Sequence, residues 1–275
     1  MAGKNEMPPS IKAALLIIAS LAVLAFATDK PRSANPQAQS LIDKVWANRH
    51  QDWDAKRLDQ EIADLEEARR LDPNNHAILS YLAQCYFERG MSEEEKSPGN
   101  SERSRKYFER GYEFAKKSLG VKETSLGHYL AAISKGAAVG RAGILEQVRN
   151  FGEIKGHIDW IGKNDPAFHY GAYARFWLDC YQYGPDPIIA IVGIGKEDAC
   201  GRLDAAIKRE PRYLENHYYK LAVCTDPEDD KTYLATLDTA IGLDPASLPA
   251  EQNANTYYHG KFHKMWKEKT GKEHP

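Results

Sequence analysis

The chain has 275 residues, enough to bury one sizeable core or to extend as an array of repeats. Its 37 Lys and Arg nearly balance 39 Asp and Glu. That argues against a nucleic-acid binder or a protein held on an acidic membrane surface by bulk charge. The 15 Tyr and 5 Trp suit helices with wide, partly wet packing faces.

Lys4 and Lys12 precede an apolar run from Ala13 to Ala27. As a helix of about 1.5 Å per residue, this run falls short of a ~30 Å hydrocarbon core. Ala25-Phe26-Ala27 then gives the small-x-small pattern of a signal peptidase site. Residues 1–27 therefore read as a cleaved secretory signal or, if retained, an N-terminal membrane anchor. No Cys precedes Cys85, so this head has no lipid-attachment cysteine. Residues 28–37 read as a linker and residues 38–270 as an all-α domain.

Residues 38–50 place Leu41, Ile42, Val45 and Trp46 at helical spacing. A second helix over 58–71 stops at Asp72-Pro73, because Pro73 cannot continue it and disfavours helical angles in the residue before. A third, over 76–89, carries Ile78, Leu79, Leu82, Ala83 and Tyr86 on one stripe. Gly90 is expected to end it, with 91–101 as an exposed loop. Residues 101–119 turn Tyr107, Phe108, Gly111, Phe114 and Ala115 inward, with Gly120 as a C-terminal cap. The small-residue run 123–139 spaces Gly136 and Gly140 for close helix contact. Residues 144–162 carry Ile144, Leu145, Val148, Phe151, Ile154, Ile158 and Ile161 up to Asn164-Asp165-Pro166.

Residues 167–183 form an aromatic helix with Tyr170, Tyr173, Ala174, Trp177, Leu178 and Tyr181 on one stripe. Residues 185–195 read as a loop, whose Gly193-x-Gly195 lacks the third glycine of a dinucleotide-binding turn. Helices over 196–210, 213–224, 226–243 and 252–269 complete the chain.

Repetition is the dominant pattern. Acidic-Pro corners recur at Asp72-Pro73, Asp165-Pro166, Glu210-Pro211 and Asp244-Pro245. Pro211 and Pro245 are 34 residues apart, the tetratricopeptide period, and Pro166 and Pro211 are 45 apart. Pro73 and Pro166 are 93 apart, two longer units with the Gly120 corner between them. The expected fold is a tetratricopeptide-like helical-repeat solenoid of about five helix pairs, since one pair cannot bury its own apolar face.

Chemistry-bearing constellations are few. The four cysteines (Cys85, Cys180, Cys200, Cys224) form no Cys-x-x-Cys and read as small buried hydrophobes. In an exported chain a disulfide is open to them, with no pair fixed by the sequence. His259 and His263 share a helix face without an evident third ligand, so no metal is expected. No phosphate loop, no nucleophile–base order and no cofactor motif is present, so no enzyme activity is expected.

Four stretches carry a family resemblance: YFERGYEFAKKSL (107–119), GHYLAAISKG (127–136), NDPAFHYGAYARFW (164–177) and AAIKREPRYLENHYYKLA (205–222). With them the chain resembles the T-component (TatT) proteins of tripartite ATP-independent periplasmic (TRAP) transporters, and the tetratricopeptide-like regulators of microtubule dynamics. Leu130 stands where the family pattern places tryptophan. The resemblance implies an exported, non-enzymatic protein that assists solute uptake beside a periplasmic solute-binding protein. It also implies a groove for a small hydrophobic ligand. The residues that fit such a lining are His128, Tyr129, His169, Tyr170, Arg175 and Trp177. Arg175 either holds a ligand carboxylate there or pairs with Asp179 one turn on. No nucleic acid is expected as a partner, and membrane contact is expected only through residues 1–27. The alternative reading is a general protein-interaction scaffold of the cell envelope.

Overall fold

A computed structural model of the chain describes residues 30–47, 54–96, 101–140, 142–191 and 193–275. The expected signal or anchor over 1–27 lies outside the described residues. Those residues are helical throughout, with no strand, and none of their helices is long and apolar enough to cross a membrane. They divide into two compact units, 30–165 and 166–275.

Unit 1 contains α1 (Pro36–Ala47), α2 (Ala55–Leu71), α3 (His76–Lys96), α4 (Ser101–Val121), α5 (Ser125–Val139) and α6 (Ile144–Asn164). Each helix packs on its sequence neighbour, and α3 also reaches α5. The core is made by the i, i+3, i+4 positions the periodicity picks out: Leu58, Leu65, Ile78, Leu82, Phe108, Phe114, Leu130, Ile158 and Ile161 are all buried. Asp54 caps α2 by accepting from the Arg57 N–H, and Thr124 caps α5 by accepting from Gly127.

Several local expectations are corrected here. Gly90 does not end the third helix, which runs on to Lys96 with Met91, Ser92 and Glu93 buried. A Cβ at Gly90 would stand 2.6 Å from the Phe108 ring, so this glycine permits close packing of α3 on α4. Gly120 lies inside α4 rather than capping it. Gly136 has open space around it; the close approaches are at Gly111, whose added Cβ would meet Ser134 at 3.0 Å, and Gly127. Ile144, Leu145 and Val148 are exposed, Leu145 by 80%, so the buried stripe of α6 begins at Phe151. Residues 32–35 are tied rather than loose. Ser33 Oγ donates to Asp72 (2.6 Å), and Asn75 Nδ2 donates to the Arg32 carbonyl (2.8 Å).

Unit 2 is less regular. A 3-10 turn (Phe168–Tyr170) precedes α7 (Ala172–Tyr183), the single-turn α8 (Asp186–Ile189), α9 (Lys196–Arg209) and α10 (Leu214–Tyr219). The last continues as a π-helix over Lys220–Cys224. Then come α11 (Asp230–Ile241), two 3-10 turns (Pro245–Ser247, Pro249–Glu251) and α12 (Gln252–Thr270). Leu214, Leu221, Leu237, Ala240, Ile241, Tyr258 and Phe262 form its buried apolar cluster. A disulfide joins Cys200 of α9 to Cys224, so Cys224 is not the buried free thiol its apolar context suggested; Cys85 and Cys180 are. The aromatic helix starts later than expected. His169, Tyr170 and Gly171 have φ of 43°, 55° and 100°, and Ala172 is the first helical residue beyond them.

Three of the four acidic-Pro corners share one geometry, and Asp244, at φ/ψ of −72°/117°, departs from it. Asp72, Asp165 and Glu210 have φ/ψ of −142°/75°, −150°/67° and −137°/87°. Each donates its N–H to the carbonyl four residues back, Ala68, Ile161 and Ala206. The following proline disfavours a helical ψ at this residue, while the residue's own N–H still completes the helix.

Candidate functional site

Arg175 sits on the first turn of α7, immediately after the left-handed run. Its guanidinium is 2% exposed and is ringed by acceptors. Nε faces Glu215 at 3.1 Å. One terminal nitrogen donates to Asn216 Oδ1 (2.7 Å) and the Tyr170 carbonyl (3.3 Å); the other donates to the His169 carbonyl (2.8 Å) and His169 Nδ1 (2.9 Å). The Tyr213 ring lies 4.9 Å from the guanidinium carbon. Five acceptors therefore answer its five N–H donors.

Glu215 is buried with it and accepts from Tyr213 (2.5 Å) and Tyr258 (2.8 Å). Asn216 Nδ2 donates to the same Tyr170 carbonyl at 2.8 Å. Left-handed angles cost a non-glycine residue about 1–2 kcal/mol. They persist at His169 and Tyr170 because they turn both carbonyls onto Arg175 and Asn216. The node locks the corner between the 3-10 turn, α7 and α10. The expected Arg175–Asp179 pair is not formed: Asp179 instead accepts from Tyr219 (2.7 Å). Burial pushes the Tyr213, Tyr219 and Tyr258 hydroxyls well above the usual phenol value, so they act here as donors.

The other proposed lining residues are placed as follows. Trp177 is fully buried, edge-on to Phe176 and Tyr173. Tyr170 packs on Tyr213 at 4.5 Å. His128 and Tyr129 belong to α5 in unit 1 and are buried. His128 stacks on Trp160 (4.1 Å), and its Nδ1 is 2.9 Å from Nδ1 of His157 on α6. Burial, and for His128 the neighbouring imidazole, holds both rings below their ordinary basicity. His259 donates to the Ile241 carbonyl (2.9 Å). No group of three or more metal-ligating side chains occurs among the described residues.

A cavity lies beside the Arg175 corner. It is a half-open depression of about 560 Å³ lined by Pro166, Gly171, Tyr173, Ala174, Arg202, Ala205, Lys208 and Arg209. The start of α7 forms one wall and α9 the other. They come close because Gly171 has no side chain: a Cβ there would approach Ala206 Cβ to 2.7 Å. The Arg202 guanidinium stands 5.2 Å over the Tyr173 ring, and Arg209 donates to the Pro166 carbonyl (3.3 Å).

Sequence reasoning singled out none of Arg202, Lys208 and Arg209. The signal was present in RLDAAIKR, where Ala205 and Ala206 leave room between Arg202 and the Lys208-Arg209 pair about two turns on. It also missed Glu215 and Asn216, polar residues at an otherwise aromatic helix start (YLENHYY). The chain matches no protein-family model and no curated protein.

Proposed function

We propose that the chain is a tetratricopeptide-like helical-repeat binding protein of the cell envelope, non-enzymatic, and accessory to TRAP-type solute uptake as its resemblance suggests. In that role it holds a small ligand or docks a periplasmic solute-binding protein.

The observation that carries the repeat reading is recurrence of the same contact at a near-constant separation. Asn75, Asn216 and Asn255 each donate through Nδ2 to a carbonyl 43 or 46 residues earlier, at Arg32 (2.8 Å), Tyr170 (2.8 Å) and Arg212 (2.8 Å). Ser33 and Ser125 each donate to the corner acid that follows, Asp72 (2.6 Å) and Asp165 (2.7 Å). Together with the shared angles of Asp72, Asp165 and Glu210, these contacts repeat a unit of roughly 40 residues, as stacked helix pairs do.

The Cys200–Cys224 bond supports an oxidising compartment, and so export. Helical repeats present extended surfaces suited to a protein partner.

The test is in-cell crosslinking of the tagged full chain, followed by identification of the captured proteins. Recovery of a solute-binding protein, released when its solute is supplied, is the expected result. Recovery of a reproducible set of other envelope proteins and no solute-binding protein favours the general scaffold instead. Capture with both cysteines alkylated as free thiols in intact cells would remove the support for export.

A further inference from the structure

We infer that the depression between α7 and α9 is a binding site for an organic anion with a flat apolar body, its charge taken by Arg202, Lys208 and Arg209. The inference rests on the small-ligand part of the proposed function and gives that ligand a seat and a charge.

The first observation is the composition of the wall. Pro166, Gly171, Ala174 and Ala205 offer apolar surface, Tyr173 offers an aromatic ring, and the three remaining lining residues are cations. No acid lines it. A neutral apolar molecule would use only the floor. An inorganic anion would meet the rim cations in open water and leave the floor wet. Only a molecule with both parts uses the whole surface, through apolar burial and charge-assisted hydrogen bonds. About 560 Å³ lies within the range of small-molecule sites, roughly 300–1,000 Å³.

The second observation is that two neighbouring acids, Asp204 and Glu210, are engaged elsewhere. Asp204, one turn before Lys208, pairs with Lys220 at 2.8 Å. Glu210, next to Arg209, is held by Arg212 at 2.6 Å. Among the described residues no carboxylate pairs with Arg202, Lys208 or Arg209. Cations in the last turn of α9 do stabilise that helix end, which accounts for Lys208 and Arg209 as a local preference. It does not account for Arg202, two turns earlier, whose guanidinium carbon stands 5.2 Å from the centre of the Tyr173 ring. The wall is also held at its start: the disulfide fixes Cys200, two residues before Arg202, to the π-helix.

The experiment is calorimetric titration of the full chain with 2-naphthoate and with 2-naphthamide, which share a ring system and differ in charge. The expected result is tighter binding of the carboxylate by about tenfold or more at low ionic strength. The double variant Arg202→Gln, Arg209→Gln should lose that preference and keep the amide affinity. Its thermal melt should match the parent's, since both side chains are exposed. Independently of any variant, rising salt should weaken naphthoate binding and leave naphthamide unchanged.

Equal affinity for the two probes overturns the anion inference and leaves a small-ligand site in place. Binding of neither overturns the site itself, while the docking role stands or falls on the capture experiment. Retained naphthoate preference in a folded double variant assigns the charge to other residues and overturns the inference.

Discussion

Units 1 and 2 are both helical, yet different interactions hold them. In unit 1 the helices follow one another in simple order, and much of their interface is apolar: Leu79, Leu82, Ala83, Phe87, Phe108 and Ala131 are buried, Gly90 and Gly111 let backbones approach, and separate polar links such as Ser80–Ser118 (2.8 Å) and Arg89–Asp59 (2.7 Å) lie among them. In unit 2 the helices are shorter, broken by 3-10 and π turns, and joined by a disulfide. Its centre is polar. Arg175, Glu215, Asn216, Asp179 and Asn255 are all buried and hydrogen-bonded to one another, to tyrosine hydroxyls or to backbone groups. Long regular helices bury enough apolar surface to fix their own register. Short ones do not, and a buried hydrogen-bonded node then selects one arrangement among several.

The most severe way to break that contrast is Arg175→Ala. It strands Glu215 in an apolar interior and releases two left-handed residues. Removal of one partner from a buried ion pair costs about 3–5 kcal/mol. Hydrogen exchange should show protection lost in 166–275 and kept in 30–165. Arg175→Met with Glu215→Leu should restore a large part of the loss, because no buried charge is then left alone. Equal loss in both units, or an unperturbed unit 2, would contradict the assignment of Arg175 as the node.

The same contrast explains what the sequence made legible. Helix count and order in unit 1 follow from periodicity and the acidic-Pro stops, because packing there obeys the i, i+3, i+4 rule. Gly90 misled because its signal is ambiguous: glycine marks helix ends and close helix approaches alike, and only the Phe108 ring across the interface decides between them. Leu145 misled because an apolar residue at the right period need not have a neighbour above it. In unit 2 the start of the aromatic helix was missed because three consecutive left-handed residues have no compositional mark beyond Gly171. Arg175 was recognisable as unusual, but its partner lies 40 residues on, at Glu215, and only tertiary structure could name it. The basic depression was hidden in the same way, since α7 and α9 make it jointly.

A milder change sharpens the packing half of the comparison. Gly90→Ala adds one methyl against the Phe108 ring. Overpacking of this kind costs about 1–3 kcal/mol, partly offset by the better helix propensity of alanine, up to about 1 kcal/mol. The midpoint of urea unfolding monitored on unit 1 should fall. The coupling can be isolated by a double-mutant cycle with Phe108→Leu, in which the alanine should be tolerated better than with phenylalanine present. An additive cycle would show that Gly90 is not there to make room for that ring.

The smallest expected effect tests one of the polar contacts inside unit 1, the His128–His157 pair between α5 and α6. Their Nδ1 atoms are 2.9 Å apart, so one ring donates and the other must accept, which requires a neutral acceptor. The groups around them are Glu123, 3.9 Å from His128, together with Glu153 and Lys116, which act on His157 in opposite senses. Both imidazoles are held below the ordinary value of about 6.5, first by burial. The native state thus binds fewer protons than the unfolded chain as pH falls below that value. Stability contributed by the pair is therefore complete above about pH 6.5 and is lost as pH falls towards the folded-state values. Unit 1 should become less protected against exchange as pH falls below about 6.5. His157→Gln keeps a neutral hydrogen-bonding partner and should flatten that slope. An unchanged slope in the variant would place the acid sensitivity elsewhere in the unit.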